Sequence, residues 1–247
     1  MLCFNGSRYH GWQRQKNAIT VDETLSKAVR KITGLCPEIT GCSRTDAGVH
    51  ALEFVCNFRS DTSIPLSKLP FALNTALPPD IRVLKCGAAS DSFHSRFSAV
   101  SKTYIYKAYN SKISNPFLEN SAYHFPYELD FEKMKKAAAH FIGRHDFSSF
   151  MASGGSQKTT ERCIHSLNLT KNEDVYLFEI TADAFLYNMV RIIAGTLLYV
   201  GIGRIKESDI PGIIKSRDRK KSGITAGPMG LYLAKVCYGD GGVLWDE

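Results

Sequence analysis

The sequence predicts an α+β fold: two similar lobes sharing a central, mostly antiparallel mixed sheet flanked by helices. Three observations lead there. Helix-periodic and strand-periodic segments alternate along all 247 residues, with short connections and no low-complexity linker. Each half of the chain holds strands and two or more helices. Successive strands also lie close enough in sequence for antiparallel pairing, which disfavours a wound parallel sheet. Residues 1–100 are expected to form the N-terminal lobe and residues 101–247 the C-terminal lobe.

The elements follow in order. Thr20 to Glu23 fits a capping box, and Val21, Leu25, Ala28, Val29 and Ile32 recur at helical spacing behind it. Glu53 to Phe58 alternates as a half-buried strand, with Phe54, Cys56 and Phe58 on one face. Leu66 to Leu77 reads as a helix with Pro65 near its first turn. Ile81–Ala88 and Lys102–Tyr109 read as strands, the latter with Tyr104, Tyr106 and Ala108 on one face. Asp130 can cap a helix reaching Ile142 that carries Phe131, Met134, Ala138 and Phe141 on one side. Strands at Ile164–Thr170 and Val175–Thr181 precede an apolar helix from about Phe185 to Val200. A short helix near Ser208–Ser216, a basic loop and a last strand at Leu231–Tyr238 complete the chain.

Composition excludes several classes. Apolar residues at 44% and charged residues at 22% are ordinary globular values and rule out a disordered or collagen-like chain. Lys and Arg number 31 against 24 Asp and Glu, a net charge of +7 that permits a polyanionic partner without requiring one. The excess is spread as +4 over the first hundred residues and +3 over the rest, so a polyanion would meet the folded body and no tail. The seven cysteines, Cys3, Cys36, Cys42, Cys56, Cys86, Cys163 and Cys237, form no C-x-x-C pair. That pattern argues against a zinc site or a secreted disulfide framework and for reduced thiols. The N-terminus lacks the basic and apolar regions of a signal peptide, and the longest apolar run, Ile192 to Gly203, is too short to span a bilayer. A cytoplasmic protein without a membrane partner is expected.

Three segments carry chemistry. Ser43 to Ala51 packs Arg44, Thr45, Asp46, Gly48 and His50 into one loop. A carboxylate placed there could act as nucleophile or general base; the plainer alternative is a turn with a surface ion pair. In Ala182 to Thr196, Arg191 lies inside an otherwise apolar helix, where it needs a carboxylate or phosphate partner unless it snorkels to the helix edge. Phe93 to Ala99, with Lys102 to Tyr106, interleaves cations and rings, which suits RNA, although two core tyrosines on a strand would look the same. No P-loop or G-x-G-x-x-G occurs. His140 and His145 do not share a helical face as zinc ligands would. Cys163 and His165 face the same way on an alternating strand, a weak Cys/His suggestion that reads as packing. The cluster Lys215, Arg217, Arg219, Lys220 and Lys221 reads as a solvated loop or as a clamp for a phosphate backbone.

Together these segments resemble the tRNA pseudouridine synthase A family. Ser43–Ala51 is similar to its catalytic G-R-T-D-A-G-V-H-A motif, Phe93–Ala99 with Lys102–Tyr104 to its second motif, and Phe185–Thr196 to its third. Asn5–Gln13 resembles its opening motif and Thr225–Leu233 its closing one, so the likeness runs in order over nearly the whole chain. Asn5 stands where the family commonly has Asp, and Cys42-Ser43 replaces a common glycine pair. The sequence begins about where the family's first strand is usually already under way, so a clipped or shortened first strand is expected.

The resemblance implies the pseudouridine synthase fold with its active site in the cleft between lobes. It implies isomerisation of uridine to pseudouridine in the anticodon stem-loop of tRNA, positions 38 to 40, by a homodimer that needs no cofactor or metal. On that basis Asp46 is the essential carboxylate, Arg191 its ion-pair partner, and Tyr104 stacks on the target base. Arg44, His50, Arg96 and Leu231 are expected to bind substrate, Arg44 filling the space left by the flipped uridine. Alternatives are a non-catalytic RNA-binding or RNA-folding module of the same fold, a paralogue acting on a different RNA, and a glycoside hydrolase. The last would need a second acid near Asp46, and no neighbouring segment offers one.

Overall fold

The structure is a computed structural model in which residues 1–155, 159–239 and 243–245 are described. The chain divides into two compact units, Met1–Val100 with Tyr232–Glu247, and Ser101–Leu231. Residues 232–247 therefore group with the first unit, although chain order alone placed them in the second.

The first unit runs through β1 (Leu2–Phe4), α1 (Val21–Thr33), β2 (Thr40–Gly41), β3 (His50–Phe54), β4 (Cys56–Asn57), α2 (Leu69–Ala76), β5 (Ile81–Val83) and β6 (Gly87–Ala88). The second holds β7 (Ala99–Tyr109), β8 (Tyr123–His124), α3 (Phe131–Ala139), β9 (Gly143–Asp146), β10 (Glu161–Asn172), β11 (Val175–Ala182), α4 (Met189–Gly201) and α5 (Ile210–Ser216). The chain then returns to the first unit for β12 (Leu231–Tyr238) and β13 (Leu244–Trp245).

In the first unit β5, β1, β3 and β12 lie side by side. β1 is antiparallel to both neighbours, and β12 is parallel to β3, with Tyr232 opposite His50 and Leu233 opposite Ala51. Thr20 caps α1, its side chain accepting from Glu23 N at 3.3 Å, while the Glu23 carboxylate pairs with Lys27 at 2.6 Å and does not complete the expected box; Gly34 closes the helix in the left-handed region. Val21, Leu25, Ala28 and Val29 form its buried stripe. Phe4, Trp12 and Phe54 build an aromatic core, with ring centroids 5.5 Å (Phe4–Phe54) and 4.2 Å (Trp12–Phe54) apart.

The second unit is a sheet in the order β7, β11, β10, β9, antiparallel throughout, with β8 parallel beside β7. Asp130 caps α3 by accepting from Lys133 N at 3.1 Å. Tyr104, Tyr106 and Ala108 share the buried face of β7, as the alternation predicts.

Several boundaries differ from the sequence reading. The expected strand Glu53–Phe58 breaks at Val55, whose carbonyl accepts from Cys42 N at 2.8 Å as the chain changes pairing partners. Phe54 is consequently buried while Cys56 and Phe58 are only partly covered. Ile81–Ala88 likewise splits, β5 pairing with β1 and β6 with β13. Leu66 to Lys68 form a turn ahead of α2, and α3 stops at Ala139, with Gly143 at φ +105° beginning the next strand. The apolar helix starts at Met189, four residues later than expected, because Asn188 takes the left-handed conformation at φ +60°. Arg191 is thus the third residue of α4 and not a mid-helix residue.

Candidate active site

Asp46 sits in the loop 43–49 that leads from β2 into β3. The opening segment of the chain holds this loop by its backbone. Trp12 N donates to Thr45 O at 3.3 Å, Gly48 N donates to Tyr9 O at 3.1 Å, and Val49 N closes the turn on Asp46 O at 3.2 Å. Approach this close is open only to glycine. A Cβ on Gly6 would lie 1.9 Å from Val49 O, and one on Gly11 would lie 2.1 Å from Thr45 O.

His50, directly after the loop, is 2% exposed. Its Nδ1 accepts from Gly6 N at 3.1 Å, and its ring stacks on Tyr232 with centroids 4.6 Å apart. Accepting at Nδ1 places the neutral ring's proton on Nε2. Thr45 is also buried, and its hydroxyl oxygen has no hydrogen-bond partner among the described residues. Arg44 is exposed and Asp46 half-buried.

In the second unit, Arg191 lies in the first turn of α4, where the helix dipole disfavours a cation, so its position answers to its contacts. Nη1 donates to Asn188 Oδ1 at 2.7 Å and Nε donates to Ala226 O at 2.8 Å, while Ala226 N donates back to Arg191 O at 3.2 Å. Asparagine is among the few residues that tolerate the left-handed turn before the helix.

The segment carrying Ala226 is itself fastened. Arg219 donates to Ser222 Oγ (2.9 Å), Gly223 O (2.8 Å) and Thr225 Oγ1 (2.9 Å), and Gly223 N donates to Thr196 Oγ1 on α4 at 2.9 Å. Partial burial lowers the pKa of Arg219, and these acceptors hold the half-buried guanidinium. Tyr106 OH donates to Gly227 O at 2.8 Å. Tyr104 is buried on β7 and meets Phe185 edge-on at 5.0 Å.

Arg44, Asp46, His50 and Arg96 therefore belong to the first unit, and Tyr104, Arg191 and Leu231 to the second. The pKa of Arg96 is lowered, first by burial and then by the guanidinium of Arg44. Leu231 is buried at the start of β12. The basic cluster is not uniformly solvated: Arg219 turns inward, and Arg217 pairs with Asp146 at 2.9 Å. Cys163 Sγ lies 3.9 Å from His165 Nδ1 on β10. Among the described residues no group of three or more His, Cys, Asp or Glu is placed to hold a metal ion, and no helix is long and apolar enough to cross a membrane.

The sequence reading missed Gly6, Gly11, Asn188 and Arg219 as supports. For the glycines the signal was present in the opening segment Asn5–Gln13. For Asn188 it was an asparagine three residues ahead of an arginine that needed a partner.

The family model described as tRNA pseudouridine synthase matches residues 3–98 and 137–239. The chain belongs to this family, whose enzymes are isomerases that make pseudouridine from uridine in tRNA. It is 54% identical over 235 residues to tRNA pseudouridine synthase A of Thermoanaerobacter sp. (strain X514), a match spanning 95% of this chain and 96% of that relative. The corresponding protein of Acetivibrio thermocellus is 47% identical over 238 residues, spanning 96% of this chain and 98% of the relative. Among solved structures, a chain of a Cbf5-Nop10-Gar1 complex is similar at a TM-score of 0.41 and 9% identity, over 96% of this chain and 57% of that one.

Proposed function

We propose that this isomerase acts on uridines in the anticodon stem-loop of tRNA, at positions 38 to 40, as a cytoplasmic homodimer. Asp46 is the essential carboxylate. The reaction breaks the bond from the ribose to the base nitrogen, turns the base and rejoins it through carbon. Asp46 begins it either by covalent attack or by removing a ribose proton. Arg191 is its ion-pair partner, keeping the carboxylate ionised. Tyr104 stacks on the target ring, Arg44 fills the space vacated by the flipped nucleotide, and Arg96 meets the RNA backbone. His50 and Leu231 act at the edge of the same site.

The observation that carries this reading is the construction around Asp46. A carboxylate loop within the family-matched region is held by backbone contacts that only glycines at 6 and 11 permit. A turn with an incidental surface ion pair needs no such support.

The test is to incubate the protein with unmodified tRNA and map pseudouridine by chemical labelling and primer extension. Wild-type protein is expected to modify positions 38 to 40, and Asp46→Asn to bind tRNA without forming product. Product elsewhere overturns the anticodon assignment. Binding at saturation without product from any tRNA favours the non-catalytic module. Arg191→Leu is expected to depress turnover more than affinity, and equal losses would make Arg191 a phosphate contact instead.

A further inference from the structure

We propose that the turn 93–98 is a stacking platform for an unpaired nucleobase of the bound tRNA, presented beside the loop that carries Asp46. The inference rests on the reading that RNA is bound at that loop, and it adds a binding element to it.

The turn is built to hold one ring in solvent. Phe93 is buried against Tyr238, with centroids 5.0 Å apart. Ser95 is fully buried: its N donates to Asn57 Oδ1 at 2.9 Å, its hydroxyl donates to Thr40 O at 2.8 Å, and its carbonyl accepts from Tyr238 OH at 2.7 Å. His94 N donates to Ser98 Oγ at 3.1 Å and Ser98 N donates back to His94 O at 2.9 Å, closing the turn. On this fixed base Phe97 stands 76% exposed. An apolar ring held out so firmly is not a loosely packed core residue.

Its neighbours select the occupant. The His94 ring lies 4.3 Å from the Phe97 ring, and His94 Nδ1 accepts from the backbone N of Arg96 (3.1 Å) and of Phe97 (3.3 Å), which fixes the imidazole orientation. The Arg96 guanidinium lies 5.6 Å from the centre of the Phe97 ring. A flat apolar ring flanked by an imidazole and a guanidinium offers a base a stacking face and its phosphate a cation.

Position adds the rest. Ser95 bonds to Thr40 on β2 and Asn57 on β4, and β2 is the strand from which the Asp46 loop departs. The charge of Arg44, which adds to burial in lowering the pKa of Arg96, likewise puts the turn near that loop. Two guanidiniums brought close together suit a phosphodiester better than an apolar protein surface.

The full-length protein is tested against unmodified tRNA in binding assays at several salt concentrations. Phe97→Ala is expected to weaken binding by about 5- to 150-fold in Kd, the range for loss of one stacked base. Phe97→Trp should restore binding to within about two-fold, because every base presents a π-face to a larger ring. The salt slope should be unchanged in Phe97→Ala and shallower in Arg96→Gln, which removes a cation. Wild-type affinity in Phe97→Ala, or failure of Trp to restore it, overturns the platform. So does a change of oligomeric state in sedimentation that accounts for the lost affinity, which would assign the ring to a protein contact. Asp46→Asn run alongside separates the two readings. If it is inactive while Phe97→Ala binds normally, the platform alone falls. If it turns over while Phe97→Ala binds weakly, the assignment of Asp46 alone falls.

Discussion

Around Asp46 the holding contacts run from backbone to backbone, from residues 9 and 12 to residues 45 and 48, at a separation that excludes any side chain at Gly6 or Gly11. Around Arg191 the backbone contact from Ala226 N to Arg191 O is joined by side-chain ones: the guanidinium reaches Asn188 and Ala226, and a second arginine, Arg219, fastens the segment that supplies Ala226. The difference teaches what each region tolerates. Backbone clamps depend on space and fail when a Cβ is added. Side-chain clamps depend on specific donors and fail one bond at a time.

The largest expected effect tests the backbone clamp. Gly11→Ala must place a Cβ 2.1 Å from a carbonyl oxygen at φ +81°, so the backbone has to move. The expected cost is about 2–4 kcal/mol, or roughly 5–15 °C in Tm, with turnover falling at least about ten-fold. Calorimetry and single-turnover assays check it. Wild-type stability and activity together would show that the loop does not need this approach.

Arg219→Ala tests the side-chain clamp with a smaller effect. It removes three hydrogen bonds, to acceptors one to four residues before Ala226, and leaves Arg191 in place. The expected result is a kcat lower by about ten-fold with KM for tRNA within about two-fold, since orientation is lost and not charge contact. A KM rise at constant kcat would make Arg219 a phosphate contact and break the comparison.

The smallest effect concerns Asp146, which holds Arg217 at 2.9 Å at the start of that same basic loop. Burial pushes the Asp146 carboxyl up, but hydrogen bonds from Ser148 and Thr160 and the charge of Arg217 outweigh it and hold it below its ordinary value of 3.8. A depressed carboxyl stabilises the fold above its unfolded value, and that contribution is lost as pH falls through the folded value. Asp146→Asn should therefore lower Tm by roughly 2–4 °C at neutral pH, with the gap closing below about pH 4. A gap independent of pH would assign the loss to packing.

Much of the fold was legible because its signals are local. The Thr20 N-cap, the α1 stripe and the in–out alternation of Tyr104 and Tyr106 each depend on residues a few positions apart. The loop around Asp46 was legible as a motif, and so was the family it resembles. The start of α4 was not, because it turns on Asn188 adopting φ +60° to meet a side chain three residues on. Nor was the inward turn of Arg219, which reads like its solvated neighbours until its acceptors are in place.

By itself the sequence determined the α+β class and the order of most elements, and it named the charged residues proposed for the site, since periodicity, capping and motif spacing are written in short stretches of chain. Only the tertiary structure decided that β12 returns to lie parallel to β3, with Tyr232 beside His50, and that Gly6 and Gly11 close on the Asp46 loop. Those contacts join residues about 35 to 180 positions apart, and no local preference of the chain encodes which distant backbone will arrive.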